Sequence, residues 1–155
     1  MSQLNFKKPI VTLLVEDDPA DAFLIKESLG KWEEQLNLYH VDTGVKAIHF
    51  LKQEEPYPAV PTPDLILLDL NLPARDGISV LQEIKATAEL KKIPIVILTT
   101  SSLQADIDRC YDLGASSYIT KPVDLQSFSA LVRSMEDFWF GKVRFPSIKN
   151  DREKE

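Results

Sequence analysis

The sequence predicts an α/β fold: a (βα)5 unit built on a doubly wound, parallel, five-stranded sheet. Three observations carry this. Short apolar runs without polar alternation recur along the chain, as in strands buried on both faces. Between them stand segments whose apolar residues recur at helical spacing, several opened by a capping side chain. The alternation is regular, with no internal repeat to mark a second domain. Residues 1–9 read as an N-terminal arm, 10–140 as one domain, and 141–155 as a C-terminal tail. The tail ends in the charged run "NDREKE", expected to be disordered.

The first strand is Ile10 to Val15, "IVTLLV", rich in β-branched residues. Asp18 can then cap a helix with Pro19 at its first position, Ala22, Ile25 and Leu29 on one face, and Gly30 at its end. Leu36 to Val41 is weaker and reads as an edge strand. Thr43 can cap a second helix carrying Ala47, Ile48 and Leu51. The stretch "QEEPYPAVPTP", Gln53 to Pro63, holds four prolines and cannot be a strand. Leu65 to Leu68 is a wholly apolar third strand, and Ile78, Leu81 and Ile84 mark a third helix. Ile93 to Thr99 is the fourth strand, with Pro94 near its start. A helix opened by Ser101 or Ser102 follows, holding Leu103, Ile107 and Cys110 and stopping near Gly114. Ser117 to Thr120 is the second edge strand. Asp124 can cap the last helix, with Leu125, Phe128, Leu131, Val132, Met135 and Trp139 on one face. Right-handed crossovers make the unit compact, and with the second and fifth strands at the edges the first, third and fourth are central and adjacent.

Composition excludes several function classes. Eighteen basic against 24 acidic side chains give a net charge of −6, which speaks against a nucleic-acid surface. A single cysteine, Cys110, forbids an internal disulfide and a cysteine-based zinc site. No apolar run approaches the roughly 18 residues that span a bilayer, and Met1 to Lys8 lack the apolar core of a signal peptide. The expectation is a soluble cytoplasmic protein with no membrane partner.

Ligands of open parallel α/β sheets bind beyond the carboxyl ends of the strands. The first strand delivers Glu16, Asp17 and Asp18 to that edge, the third Asp69 and Asn71, the fourth Thr99 and Thr100, and the fifth Lys121. Taken singly these are ordinary: a turn acid, an N-cap, a strand threonine, a loop lysine. Together they are a constellation. Several carboxylates cannot stay ionised side by side without counter-charge. Lys121 supplies one, and a hard divalent cation such as Mg2+ supplies the other, with Glu16, Asp17, Asp69 and the backbone carbonyl of Asn71 as oxygen ligands. In such a site a carboxylate can accept a phosphoryl group. Asp69 is then the nucleophile, while Lys121 and the Thr99 hydroxyl hold phosphoryl oxygens.

The motifs "LLVEDDP", "LILLDLNLP" followed by "DG", "VILTTS" and "LGASSYITKP", in this order and spacing, resemble the receiver domain of response regulators, the family of the single-domain chemotaxis regulator. The resemblance spans Ile10 to about Trp139. It implies a flavodoxin-like strand order 2-1-3-4-5, and that residues 10–140 are a receiver domain. It implies phosphorylation of Asp69 by a histidine kinase, Mg2+ held by Glu16, Asp17, Asp69 and Asn71, and a switch in which Tyr118 moves inward as Thr99 moves toward the phosphate. It also implies a cis Lys121–Pro122 bond. "TPDLILLDLNLP", the proline-rich loop before it, "ELKKIPIVILTTS" and "MEDFWF" resemble more narrowly the stand-alone regulators of phytochromes. That narrower resemblance implies a phytochrome as the kinase, a downstream protein of unknown identity, and pairing of two copies through the last helix.

Three other functions fit the same residues less well. A phosphatase of the haloacid dehalogenase type needs a second acid two residues after the nucleophile, where Asn71 stands. A flavin binder of this topology needs a Ser/Thr/Gly-rich loop after the first strand, where three acids stand. A receiver-like module that is never phosphorylated has no need of Thr99 and Lys121. His40 and His49 read as surface or half-buried residues, and Cys110 as a small core residue. Phe138, Trp139 and Phe140 cannot all face one core, because a helix turns about 100° per residue. Either the tail folds back over them through Val143 and Phe145, or they form an interface with a second copy.

Overall fold

Apolar strands without alternation need cover on both faces, and the chain supplies it with five helices in two layers. The computed structural model describes residues 8–148; residues 1–7 of the expected arm and the "NDREKE" run lie outside the described residues. The elements are β1 (Ile10–Val15), α1 (Pro19–Leu29), β2 (Leu36–Val41), α2 (Gly44–Leu51), β3 (Leu65–Leu68), α3 (Gly77–Ala86), β4 (Ile95–Thr99), α4 (Gln104–Asp112), β5 (Ser117–Thr120) and α5 (Leu125–Gly141). All neighbours pair in parallel, in the order β2-β1-β3-β4-β5.

Successive strand residues feed opposite layers. Leu13, Val15, Ile66, Leu68, Ile95 and Ile97 pack with α2, α3 and Cys110 of α4. Leu14, Leu65, Leu67, Val96 and Leu98 pack with α1 and with Phe128, Val132, Met135 and Trp139 of α5. Each large apolar side chain so buried stabilises the fold by about 1.5–3 kcal/mol relative to exposure.

The capping residues act as the sequence predicts. Asp18 accepts from the amides of Ala20 and Asp21, Thr43 from Lys46, and Asp124 from Ser127. Asp76 likewise caps α3 through the Ser79 amide. Four expectations are corrected. β4 begins at Ile95 rather than Ile93, because Pro94 has no N–H to donate and the Ile93 amide turns back to the Leu90 carbonyl. α4 begins at Gln104 with Leu103 in the cap position and no side-chain cap; the Ser101 hydroxyl donates to Asp106 instead. Leu125 is exposed, since the first turn of α5 lies beyond the sheet's cover. Lys121–Pro122 is trans, the cis bond among the described residues being Glu55–Pro56. An X–Pro bond prefers trans by about 0.5–1 kcal/mol unless its surroundings select cis.

Gly30 stays right-handed and runs on into a 3-10 turn, Gly30–Trp32, instead of ending α1 sharply. Here the second layer holds a buried acid. Glu136 of α5 is 0 % exposed and accepts from the Ser28 hydroxyl and from Trp32 Nε1 at 3.1 Å, with Lys31 Nζ at 3.2 Å. The aromatic triplet divides. Trp139 is buried beneath Phe145 of the returning tail, ring centroids 6.1 Å apart, so it is a core residue and not part of an exposed interface. Phe140 is half-buried against Trp32. Phe138 remains 55 % exposed. The tail thus does fold back: Val143 and Phe145 pack on the layer of α1 and α5, and Ile148 reaches the layer of α2 and α3.

Candidate functional site

Glu16, Asp69 and Lys121 each stand one residue past the end of a strand, and in each the backbone amide still donates to the neighbouring strand. Glu16 N donates to Val41 O (3.1 Å), Asp69 N to Val15 O (3.0 Å) and Lys121 N to Thr99 O (2.7 Å). Their Cα positions are therefore fixed by the sheet rather than by loops. Thr99 is the last residue of β4 and fully buried.

The loop after Asp69 is held by close approach. A Cβ on Gly77 would stand 2.3 Å from the Asp69 carbonyl oxygen and 2.6 Å from Leu70 Cα, so α3 can begin this near the acid only with glycine. Between them Ala74 adopts a left-handed φ of 65°.

Carboxylate oxygens of Glu16, Asp17 and Asp69 lie within 4.8 Å of one another. Glu16 and Asp69 are buried and Asp17 is exposed, so the cluster opens to solvent on one side. An all-oxygen, triply acidic donor set of this size suits a hard divalent cation. Asn71 turns its amide N–H onto Asp69 Oδ1 at 3.1 Å, and its Nδ2 reaches Thr99 Oγ1 at 3.3 Å and Thr100 Oγ1 at 3.1 Å. No described hydrogen bond uses the Asn71 carbonyl, which leaves it open as the further oxygen donor the sequence suggests.

Lys121 closes the site from the other side. Its Nζ donates to Glu16 Oε1 at 2.7 Å, Asp21 Oδ2 at 2.8 Å and Asp69 Oδ2 at 3.2 Å. Burial pushes the Glu16 carboxyl up to about 8; the Lys121 hydrogen bond works against this and the Asp69 charge adds to it. Burial also disfavours the Lys121 ammonium, but its bonds to Asp21 and Glu16 outweigh that and hold it above its ordinary value. Burial therefore disfavours the charge on Glu16, while the carboxylates around Lys121 favour the charge on the ammonium.

Tyr118, on β5, is half-buried and donates its hydroxyl to the Ser101 carbonyl at 2.9 Å, two residues past Thr99. Burial raises its pKa, against the Ser101 bond. Thr120 reaches the same carbonyl at 3.4 Å. The loop after Thr99 is therefore tied to the strand that carries Tyr118. His40 is half-buried as expected, yet its Nε2 lies 2.9 Å from the Glu16 carbonyl, nearer the acidic loop than their separation in sequence suggests. These contacts bring Glu16, Asp17, Asp69, Asn71, Thr99, Thr100 and Lys121 to one edge of the sheet, while Asp18 is turned to capping α1. Asp21 escaped sequence reasoning, because an acid in the first turn of a helix has a local explanation in the helix dipole.

A doubly wound parallel sheet whose carboxyl edge presents a lysine-bridged pocket of acids beside a buried threonine defines the receiver class of signalling domains. The chain belongs to that family: the response regulator receiver domain model matches residues 12–133. It is 42% identical over 139 residues to response regulator Rcp1 of Synechocystis sp., covering 90% of this chain and 95% of Rcp1. The crystal structure of the Mn2+-bound form of Rcp1 superposes with a TM-score of 0.87 at 42% identity, over 90% of this chain and 100% of that one. The phosphorylated cyanobacterial phytochrome response regulator RcpA matches with the same TM-score of 0.87, identity of 42% and coverage of 90% and 100%. The bacteriophytochrome response regulator RtBRR follows with a TM-score of 0.69 and 33% identity, over 90% of this chain and 85% of that one. The protein is a receiver-domain response regulator of two-component signalling, and the phosphatase alternative has no second acid at Asn71 to support it. No helix among the described residues is long and apolar enough to cross a membrane.

Proposed function

We propose that Asp69 is the phosphoacceptor, loaded by a histidine kinase, and that the protein's output is a change in its own binding surface. The observation that carries this is the Lys121 ammonium bridging Asp69 and Glu16 at the edge of an acidic cluster that opens to solvent. An Asp69 carboxylate oxygen attacks the phosphorus of a phosphohistidine. The O–P bond forms, the P–N bond breaks, and the imidazole leaves with the electron pair and takes up a proton. Glu16, Asp17, Asp69 and the Asn71 carbonyl would hold Mg2+, which neutralises charge on the phosphoryl oxygens. Lys121 and the Thr99 hydroxyl donate to the remaining oxygens. As Thr99 is drawn inward, its bond from Asn71 is lost, and the Ser101 carbonyl that anchors Tyr118 shifts with it.

The protein catalyses only its own phosphorylation and dephosphorylation, in the cytoplasm. The likeness to RcpA and RtBRR favours a phytochrome as the kinase. A downstream protein receives the signal, and a second copy can pair across the exposed Phe138 at the end of α5. Intact-mass measurement with Mg2+ and a small acyl phosphate tests the central step. Wild type gains one phosphoryl mass and Asp69→Asn gains none; equal labelling of Asp69→Asn refutes the assignment.

A further inference from the structure

An ammonium has three N–H donors, and three carboxylates take those of Lys121. The contacts to Glu16 and Asp21 are 2.7 and 2.8 Å, that to Asp69 is 3.2 Å, so the ammonium leans away from the proposed phosphoacceptor. Glu16 belongs to the proposed metal set and Asp69 to the phosphoryl step. Asp21 has neither role. It lies in the first turn of α1, its side chain is 24% exposed, and it meets Lys121 across 100 residues of sequence. Resting on the role proposed for Asp69, we propose that Asp21 is a positioning residue that holds the Lys121 ammonium back from the phosphoryl group and so slows the loading of Asp69.

In the transfer, negative charge spreads over the three equatorial oxygens of the phosphoryl group. Lys121 can neutralise one of them only by turning an N–H away from a carboxylate. The donor facing Asp69 already points toward the reacting atom and moves least. The donor on Asp21 is bound to a full negative charge that the reaction does not consume, and charge-assisted bonds of this kind are about twice as strong as neutral ones. An amide in place of Asp21 keeps an oxygen acceptor and the side-chain shape but removes the charge. The ammonium is then released without being left unpaired.

The test is a time course of Asp69 phosphorylation by acetyl phosphate and Mg2+, followed by intact mass. Asp21→Asn is expected to load about fivefold faster than wild type, equivalent to about 1 kcal/mol in the barrier. Asp21→Glu, which restores a carboxylate, returns toward the wild-type rate. Because the effect runs through Lys121, Asp21→Asn gives no acceleration in a Lys121→Ala background. If that background loads too slowly to time, the contrast between Asp21→Asn and Asp21→Glu decides. Equal or slower loading of a folded Asp21→Asn overturns the proposal, as does undiminished acceleration without Lys121, which would mean a general effect of net charge. Wild-type labelling of Asp69→Asn would instead remove the phosphoacceptor assignment, and this proposal with it.

Discussion

Gly77→Ala adds one methyl group at the place where α3 meets the loop carrying Asp69. That methyl carbon would stand 2.3 Å from the Asp69 carbonyl oxygen, 2.6 Å from Leu70 Cα and 3.1 Å from the Asp69 carbonyl carbon. All three neighbours are backbone, so no side chain can swing aside. Either α3 shifts outward or the end of β3 moves, and the Asp69 amide bond to Val15 resists the second. Overpacking of this kind costs about 1–3 kcal/mol, and a backbone-limited clash belongs at the upper end. For a domain of this size about 3 kcal/mol lowers the melting temperature by roughly 6–12 °C. The Gly77 amide also donates to the Leu70 carbonyl at 2.9 Å, so a shift of α3 drags the residue after Asp69. Urea denaturation should show the destabilisation, and the rate of acyl-phosphate labelling should fall in the molecules that remain folded. A Gly77→Ala protein with an unchanged urea midpoint and wild-type labelling would refute this account of the glycine.

Four further outcomes are expected. Asp17→Asn should weaken Mg2+ binding and Asp69 labelling together, read by titration calorimetry and intact mass, since an amide is a poorer ligand for a hard cation. Without divalent cations, stability should fall as pH rises toward about 8, because the folded Glu16 carboxyl binds its proton more tightly than the unfolded one; Glu16→Gln should flatten that slope in urea titrations at stepped pH. Glu136→Ala should cost about 1–3 kcal/mol in urea unfolding, leaving the half-buried Trp32 N–H and Ser28 hydroxyl without their acceptor. Cys110, buried and with its thiol pushed up to about 11 chiefly by burial, should resist alkylation at pH 8 in the native state and react on unfolding.

The sheet was legible because its central strands are continuous apolar runs, and such runs have few other uses at four to six residues. The site was legible for the same reason. A run such as Leu65 to Leu68 locates its own carboxyl end, and Asp69 stands there. What stayed hidden depends on partners distant in sequence. Asp21 reads as a helix-dipole acid until Lys121 is brought to it. Glu136 interrupts the stripe of Phe128, Val132, Met135 and Trp139, and its spacing of four from Val132 was a signal that could have been read as a buried acid seeking donors. The start of α4 is not legible in the sequence, because Ser101 is committed to Asp106 rather than to a helix cap. No local force in the sequence selects the isomer of Lys121–Pro122, and the family resemblance points to cis where the bond is trans.

The returning tail has a consequence for kinetics. Val143 and Phe145 rest on one apolar layer and Ile148 on the other, which lies across the sheet. A segment with such a footprint finds no complete docking surface until both layers have condensed around β1, β3 and β4. Its contacts are therefore expected to form after the rate-limiting step of folding, and removing them should speed unfolding while leaving the folding rate unchanged. Interactions absent from the transition state leave the folding rate unchanged and slow unfolding by their full worth. Residues 142–148 act in this respect as a latch, lengthening the lifetime of the native state far more than they hasten its arrival.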